Sequence, residues 1–145
     1  MADYSKLNSD ELKRLADSDD KDALFETAKR CLEGDERDEA RKYFTLSATL
    51  GHAKACVELG KFYDVEGIRS KAIELYLRGY ELGDDDVAAR LAEIMLEVDE
   101  EYALELLTGG ALSGNVESME ALEKYYLSHG NDKEAKFWKS KREDA

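Results

Sequence analysis

The sequence predicts an all-α protein: a solenoid of about four helix hairpins behind a short N-terminal capping helix, as one domain over residues 1–145. Three observations carry this. Proline is absent from the 145 residues, so no helix interior loses a backbone donor. Small residues recur at one fixed period. Each period then divides into two stretches whose apolar residues fall at helical spacing.

The period is read from four independent series. The glycines of Leu50-Gly51, Leu82-Gly83 and Ser113-Gly114 lie 32 and 31 residues apart. Ala40, Ala72, Ala103 and Ala135 follow at 32, 31 and 32. Ala28, Gly60 and Ala92 are spaced by 32 and 32, and Ser47, Gly79 and Gly110 by 32 and 31. Four series with one period mark internal repeats, at about 22–52, 53–83, 84–114 and 115–143.

The elements follow in order. At the N-terminus Asn8 caps, Glu11 reaches back and Leu7 meets Leu12, a capping box with a hydrophobic staple that starts a helix over about 9–17. The first helices of the hairpins are expected at about 22–33, 53–64, 84–97 and 116–128, and the second at about 37–50, 69–82, 100–113 and 132–143. Gly60 and Ala72 stand mid-helix, where missing side chains let two backbones approach. Glycine there costs about 1 kcal/mol relative to alanine, so close contact is the expected compensation at Gly60 and Gly79. Gly51 and Gly83 fit the left-handed position just past a helix. Gly34, Gly67 and Gly130 occupy the turns inside three hairpins, and Val98-Asp99 replaces them in the third. Asp84-Asp85-Asp86 is expected to cap the start of the third hairpin. Asn131 and Glu134 open the last helix. Lys139-Ser140-Lys141-Arg142 closes it at the negative end of its dipole.

Composition removes several function classes. With 34 acidic against 21 basic residues the net charge is −13, which argues against general nucleic-acid binding. No window approaches the roughly 18 apolar residues of a membrane span. Met1-Ala2-Asp3-Tyr4-Ser5-Lys6 shows no signal peptide, so a cytoplasmic chain is expected, or a mature one whose signal was removed. Cys31, Cys56, His52 and His129 are the only cysteines and histidines, without the spacing of a zinc site. The cysteines are expected unbridged and largely buried in first helices, and the histidines at helix ends. Asp17-Ser18-Asp19-Asp20-Lys21-Asp22 lacks the glycine and the final glutamate of a calcium loop. Neither a phosphate-binding glycine loop nor a nucleophile elbow is present. No catalytic residue, metal or cofactor is expected.

The stretch from Thr49 to Tyr63, TLGHAKACVELGKFY, resembles the junction between Sel-one-like repeats, and Lys71-Ala72-Ile73-Glu74-Leu75-Tyr76 is similar to that family's second-helix opening. The resemblance holds from about 22 to 114 and weakens beyond, where Glu123 stands at a small-residue position and Lys139 at an aromatic one, with Trp138 beside it. The short turns resemble those of tetratricopeptide repeats, although the terminal proline of that family is missing. The resemblance implies a right-handed α-α superhelix and a role in assembling protein complexes. It also implies that the residue after each small position points into the inner groove: Lys29, Lys61, Glu93 and Lys124. Arg90 adds to that row, and Phe25 and Val57 lie one turn before Lys29 and Lys61. Such an array suits an acidic segment or a C-terminal carboxylate, gripped beside apolar anchors. The competing reading of the lysines is a solvated row paired with Glu26, Glu58 and their neighbours. The chain is expected as a monomer or weak homodimer; competing functions are self-association through an end or the aromatics of the last helix, and a small regulatory enzyme or metal protein.

Overall fold

The computed structural model describes residues 3–145. Among the described residues there are nine α-helices and no strand, and the chain is 79% helical. The helices are α1 (Ser9–Asp17), α2 (Lys21–Glu33), α3 (Arg37–Thr49), α4 (Ala53–Val65), α5 (Arg69–Glu81), α6 (Ala88–Met95), α7 (Glu100–Leu112), α8 (Val116–Ser128) and α9 (Asp132–Glu143). They fall into two compact units, one ending at Asp84 and the other Asp85–Ala145. None is long and apolar enough to cross a membrane.

In the first unit, α1 starts as its sequence requires. The Asn8 side chain accepts from the amides of Asp10 and Glu11, and the Glu11 carboxylate accepts from the Asn8 amide at 2.9 Å. A strap of residues ahead of α1 is tied to α2. The Tyr4 hydroxyl donates to Asp20 at 2.8 Å, and the Arg30 guanidinium donates to the Leu7 carbonyl at 2.6 Å. Asp20 also caps α2, accepting from the amides of Asp22 and Ala23. The acidic run before α2 is therefore helix-start chemistry.

Hairpins α2–α3 and α4–α5 pack through the small positions. A side chain on Gly60 would begin 2.7 Å from the ring of Tyr76 on α5. One on Gly79 would begin 2.7 Å from Val57 Cγ2 and 3.1 Å from the Ala53 carbonyl oxygen of α4. Ser47 holds the register of Gly79, and its hydroxyl donates to the matching carbonyl, that of Lys21, at 2.7 Å. The backbones approach so closely at this register that only a hydrogen or a hydrogen-bonding hydroxyl fits. Around them Phe44, Phe62, Leu59 and Cys56 form a core among Ala28, Ala40, Ala48 and Ala55.

The structure adds one detail to the turns and changes two local expectations. Gly34 lies in the turn as expected, at φ −85°, and the left-handed backbone of that turn falls on Asp35 at φ 60°. Aspartate tolerates that region because its short side chain bonds locally. The first change concerns Cys31. Cys56 is buried and Cys31 only half-buried, beside Leu12, Tyr43 and Glu39 at an open depression. Both thiols are unbridged. Burial pushes the Cys31 thiol up, and the carboxylates of Glu36 and Glu39 add to this; burial also pushes Cys56 up. At neutral pH a maleimide should therefore modify one thiol per native chain, Cys31, with Cys56 reacting only after denaturant is added. Equal rates at the two positions would contradict this placement.

The second change lies in the second unit. Residues Asp85–Val87 form a 3-10 turn, and α6 begins only at Ala88, with Val87 at the cap position and no side-chain capping bond. The aspartates are spent in the tighter turn, so α6 is shorter than the expected 84–97. In α7 the Gly110 position is close-packed against α8, where a side chain would begin 2.5 Å from Ser118 Oγ. The fourth hairpin is built differently. Glu123 of α8 and Arg142 of α9 join through Nη2 at 2.7 Å and Nε at 3.1 Å. Arg142 stands 32 residues after Gly110, so an ion pair joins the two registers that small residues hold elsewhere. Trp138 is buried in place of Lys139, which faces solvent.

Candidate functional site

First helices place the sequence-predicted residues, and the two units give them different surroundings. In the first unit, Ala28 and Gly60 are buried against the hairpins, so the residues that follow them turn outward. Lys29 is 47% exposed and its Nζ lies 3.6 Å from Glu26; Lys61 is 57% exposed and 2.8 Å from Glu58. Phe25 is half-buried, stacked on His52 at 4.3 Å between centroids and tilted against Phe44 at 5.7 Å. The Lys29 ammonium lies 5.6 Å from the Phe25 ring centre. His52 holds this arrangement in place: its Nδ1 accepts from the Ala55 amide at the start of α4, and its Nε2 lies 3.3 Å from Asp22. Burial lowers the proton affinity of that imidazole, partly offset by Asp22, which keeps Nδ1 available as an acceptor. Val57 fills the notch at Gly79, so its methyl serves the hairpin.

In the second unit an open groove of about 430 Å³ runs between α6 and α8. Glu93 and Lys124 flank it, and Leu96, Ala121 and Tyr125 supply an apolar wall. The wall is held from both sides. The Tyr125 hydroxyl donates to the Glu100 carboxylate, which pushes the phenol up. His129, at the end of α8, stacks on the Tyr125 ring at 4.1 Å. Arg90 pairs with Glu93 at 2.9 Å, and Lys124 lies 3.4 Å from Glu120 while 75% exposed.

The structure therefore brings Glu93 and Lys124 to one groove and leaves Lys29, Lys61 and Lys124 exposed, each beside a glutamate of its own helix. The expectation did not include Leu96, Ala121, Tyr125 and His129. Ala121 lies three residues before Lys124 and four before Tyr125, so helical spacing puts Ala121 on one face with them, but it does not show that this face meets Leu96. Chemically the site offers an apolar notch, an exposed ammonium and carboxylates. No group of three or more histidine, cysteine or acidic side chains converges for a metal among the described residues.

No protein-family model and no curated protein matches the sequence. Solved structures do. The chain is similar to a Sel1 repeat protein from Oxalobacter formigenes, with a TM-score of 0.80 at 22% identity over 92% of this chain. It spans 62% of that protein's length. It is also similar to MamA, with a TM-score of 0.71 at 19% identity, covering 91% of this chain and 82% of MamA. Both neighbours are helical-repeat solenoids, and the chain has that fold.

Proposed function

We propose that the protein is a scaffold or adaptor module that holds a segment of another protein against its first helices. The observation that carries this is the groove of the second unit, where an apolar wall at Leu96, Ala121 and Tyr125 meets the exposed ammonium of Lys124. Its occupant is a peptide segment with an apolar anchor and an adjacent carboxylate. The anchor displaces water from the wall, and the carboxylate takes Lys124 from Glu120. That exchange is cheap, because an exposed ion pair is worth only about 0–1 kcal/mol. Lys29 and Lys61 offer the same chemistry in the first unit, next to the Phe25 ring. The helical-repeat fold supports a protein-binding role by analogy of architecture, and the groove supports it by chemistry.

Selection of a random peptide library on the purified chain tests the reading. Enriched sequences should pair an aliphatic or aromatic residue with an acidic one. Ala121→Arg, which fills the notch, should weaken the best peptide at least tenfold, about 1.4 kcal/mol. Lys124→Glu should remove the acidic preference while the anchor survives. A library that yields no enrichment, or peptides that bind both variants as well as the parent, would sink the proposal.

A further inference from the structure

Two helices of the second unit carry faces that this unit leaves open, and the faces are complementary. On α7, Glu101, Leu104, Glu105, Thr108 and Gly109 line a shallow depression of about 480 Å³. Gly109 is inside the helix, and a side chain there would meet nothing within 4 Å. By contrast, side chains on Gly60 and Gly79 would begin 2.7 Å from a neighbour, and one on Gly110 2.5 Å. Contacts inside the chain account for those three glycines and not for Gly109, which still costs about 1 kcal/mol relative to alanine. Charge singles out the same face. Helix α7 contains no lysine or arginine, and among the described residues Glu101 and Glu105 have no ion-pair partner. Leu112 is 75% exposed one turn beyond Gly109.

Helix α9 presents the opposite chemistry. Lys133, Lys136, Phe137, Ser140 and Lys141 follow the i, i+3, i+4, i+7, i+8 pattern of one helical face, and all are exposed, while Ala135 and Trp138 bury the other face. Phe137 is 46% exposed and stands edge-on to Trp138 at 5.0 Å. The Lys141 ammonium lies 5.7 Å from its ring centre. Lys29, Lys61, Lys71 and Lys124 each pair with a glutamate of their own helix. Lys133, Lys136 and Lys141 have no carboxylate partner among the described residues. These three cations face outward in a chain of net charge −13.

We propose that the α9 ridge of one copy docks on the α7 face of a second copy, with Phe137 over the gap at Gly109. The spacing suits either helix direction. At 1.5 Å per residue, Lys133 and Lys141 each stand about 6 Å from Phe137, and Glu105 about 6 Å from Gly109. One of the two lysines therefore reaches Glu105 whether the helices run parallel or antiparallel. The two faces are different surfaces of one chain, so the contact adds copies head to tail when made once per pair and closes a dimer when made twice. A single helix face on another is small for a stable interface, and its ion pairs are exposed. The association is accordingly weak and sensitive to salt. It is independent of the groove between α6 and α8.

Sedimentation of the purified chain at low and high salt over a wide concentration range tests this. At low salt the mean mass should rise with concentration above the 16.4 kDa of one chain, and high salt should reverse the rise. Glu105→Lys alone, and Lys133→Glu with Lys141→Glu, should each weaken association at least tenfold. An equimolar mixture of those two variants should associate again, because each now presents the charge the other lacks. Gly109→Leu should also block association while leaving the helical spectrum intact, since leucine fills the gap and is the better helix former. A wild-type mass of one chain at every concentration would overturn the proposal, leaving the α9 ridge to an acidic partner of another kind. Association that neither charge reversal changes would overturn it equally.

Discussion

Gly60→Leu is expected to remove about 3 kcal/mol or more of stability, because it forces a branched side chain into a backbone contact that has no room. The first atom of any side chain there would lie 2.7 Å from two ring carbons of Tyr76 and 3.4 Å from Leu75 Cβ. Tyr76 has nowhere to go. It is 1% exposed, and its hydroxyl donates to Asp64 at 3.2 Å. Gly60→Ala separates the two effects at work. Helix propensity favours alanine by about 1 kcal/mol, yet the clash outweighs it, so a net loss is expected. Replacing Tyr76 by leucine in the Gly60→Ala background should recover part of that loss, with a coupling of about 0.5–3 kcal/mol between the two sites. Urea unfolding of the four chains completes the cycle. An unchanged midpoint in Gly60→Leu would mean that α4 and α5 are not paired through this residue.

The hairpins were legible because close backbone contact constrains sequence more tightly than burial does. A buried position accepts many apolar residues, whereas the contact at Gly79 accepts a hydrogen and the one at Ser47 a hydroxyl aimed at a carbonyl. That demand recurs with the period and marks the repeat. What periodicity could not show is where the period is filled by other means. The Glu123–Arg142 pair joins the registers of two small residues, and in the sequence it reads as a departure from the repeat followed by cations that close the last helix. The start of α6 was illegible for a related reason. Three aspartates satisfy a helix start and a 3-10 turn equally well, and only the neighbouring backbone decides between them.

The site was legible in part. The family resemblance implied that Lys29, Lys61, Glu93 and Lys124 point into an inner groove, and the structure leaves all four exposed on first helices. Counting along one helix says nothing about its rotation against a neighbour. Val57 was therefore expected beside the groove, although its methyl lies in the Gly79 notch. Cys31, likewise on the stripe of α2, is only half-buried. The apolar wall of Ala121 and Tyr125 depends on α6 and α8 lying side by side with Leu96 between them. No spacing within one helix encodes that.

Phe44→Ala should produce the other large loss, at the upper end of the 3–5 kcal/mol typical of removing a buried aromatic ring. Phe44 is 0% exposed, with its ring centroid 5.7 Å from Phe25 and 6.2 Å from Phe62. Its surroundings explain why the cost is high. The cluster around it is rich in alanine, at positions 28, 40, 48 and 55. Alanine has no side-chain rotamers with which to refill a void, and these alanines are fixed on helix backbones that already touch. The space vacated by the ring stays empty, and the cavity penalty adds in full to the lost transfer energy. Against a total of about 5–15 kcal/mol for a domain, that is enough to leave the first unit marginal near physiological temperature. Phe137→Ala is the matched control, since the same atoms are removed from a ring that is 46% exposed on α9. It should change the urea midpoint little while weakening self-association. If Phe44→Ala proves no more costly than Phe137→Ala, the ring does not anchor the core of the first unit.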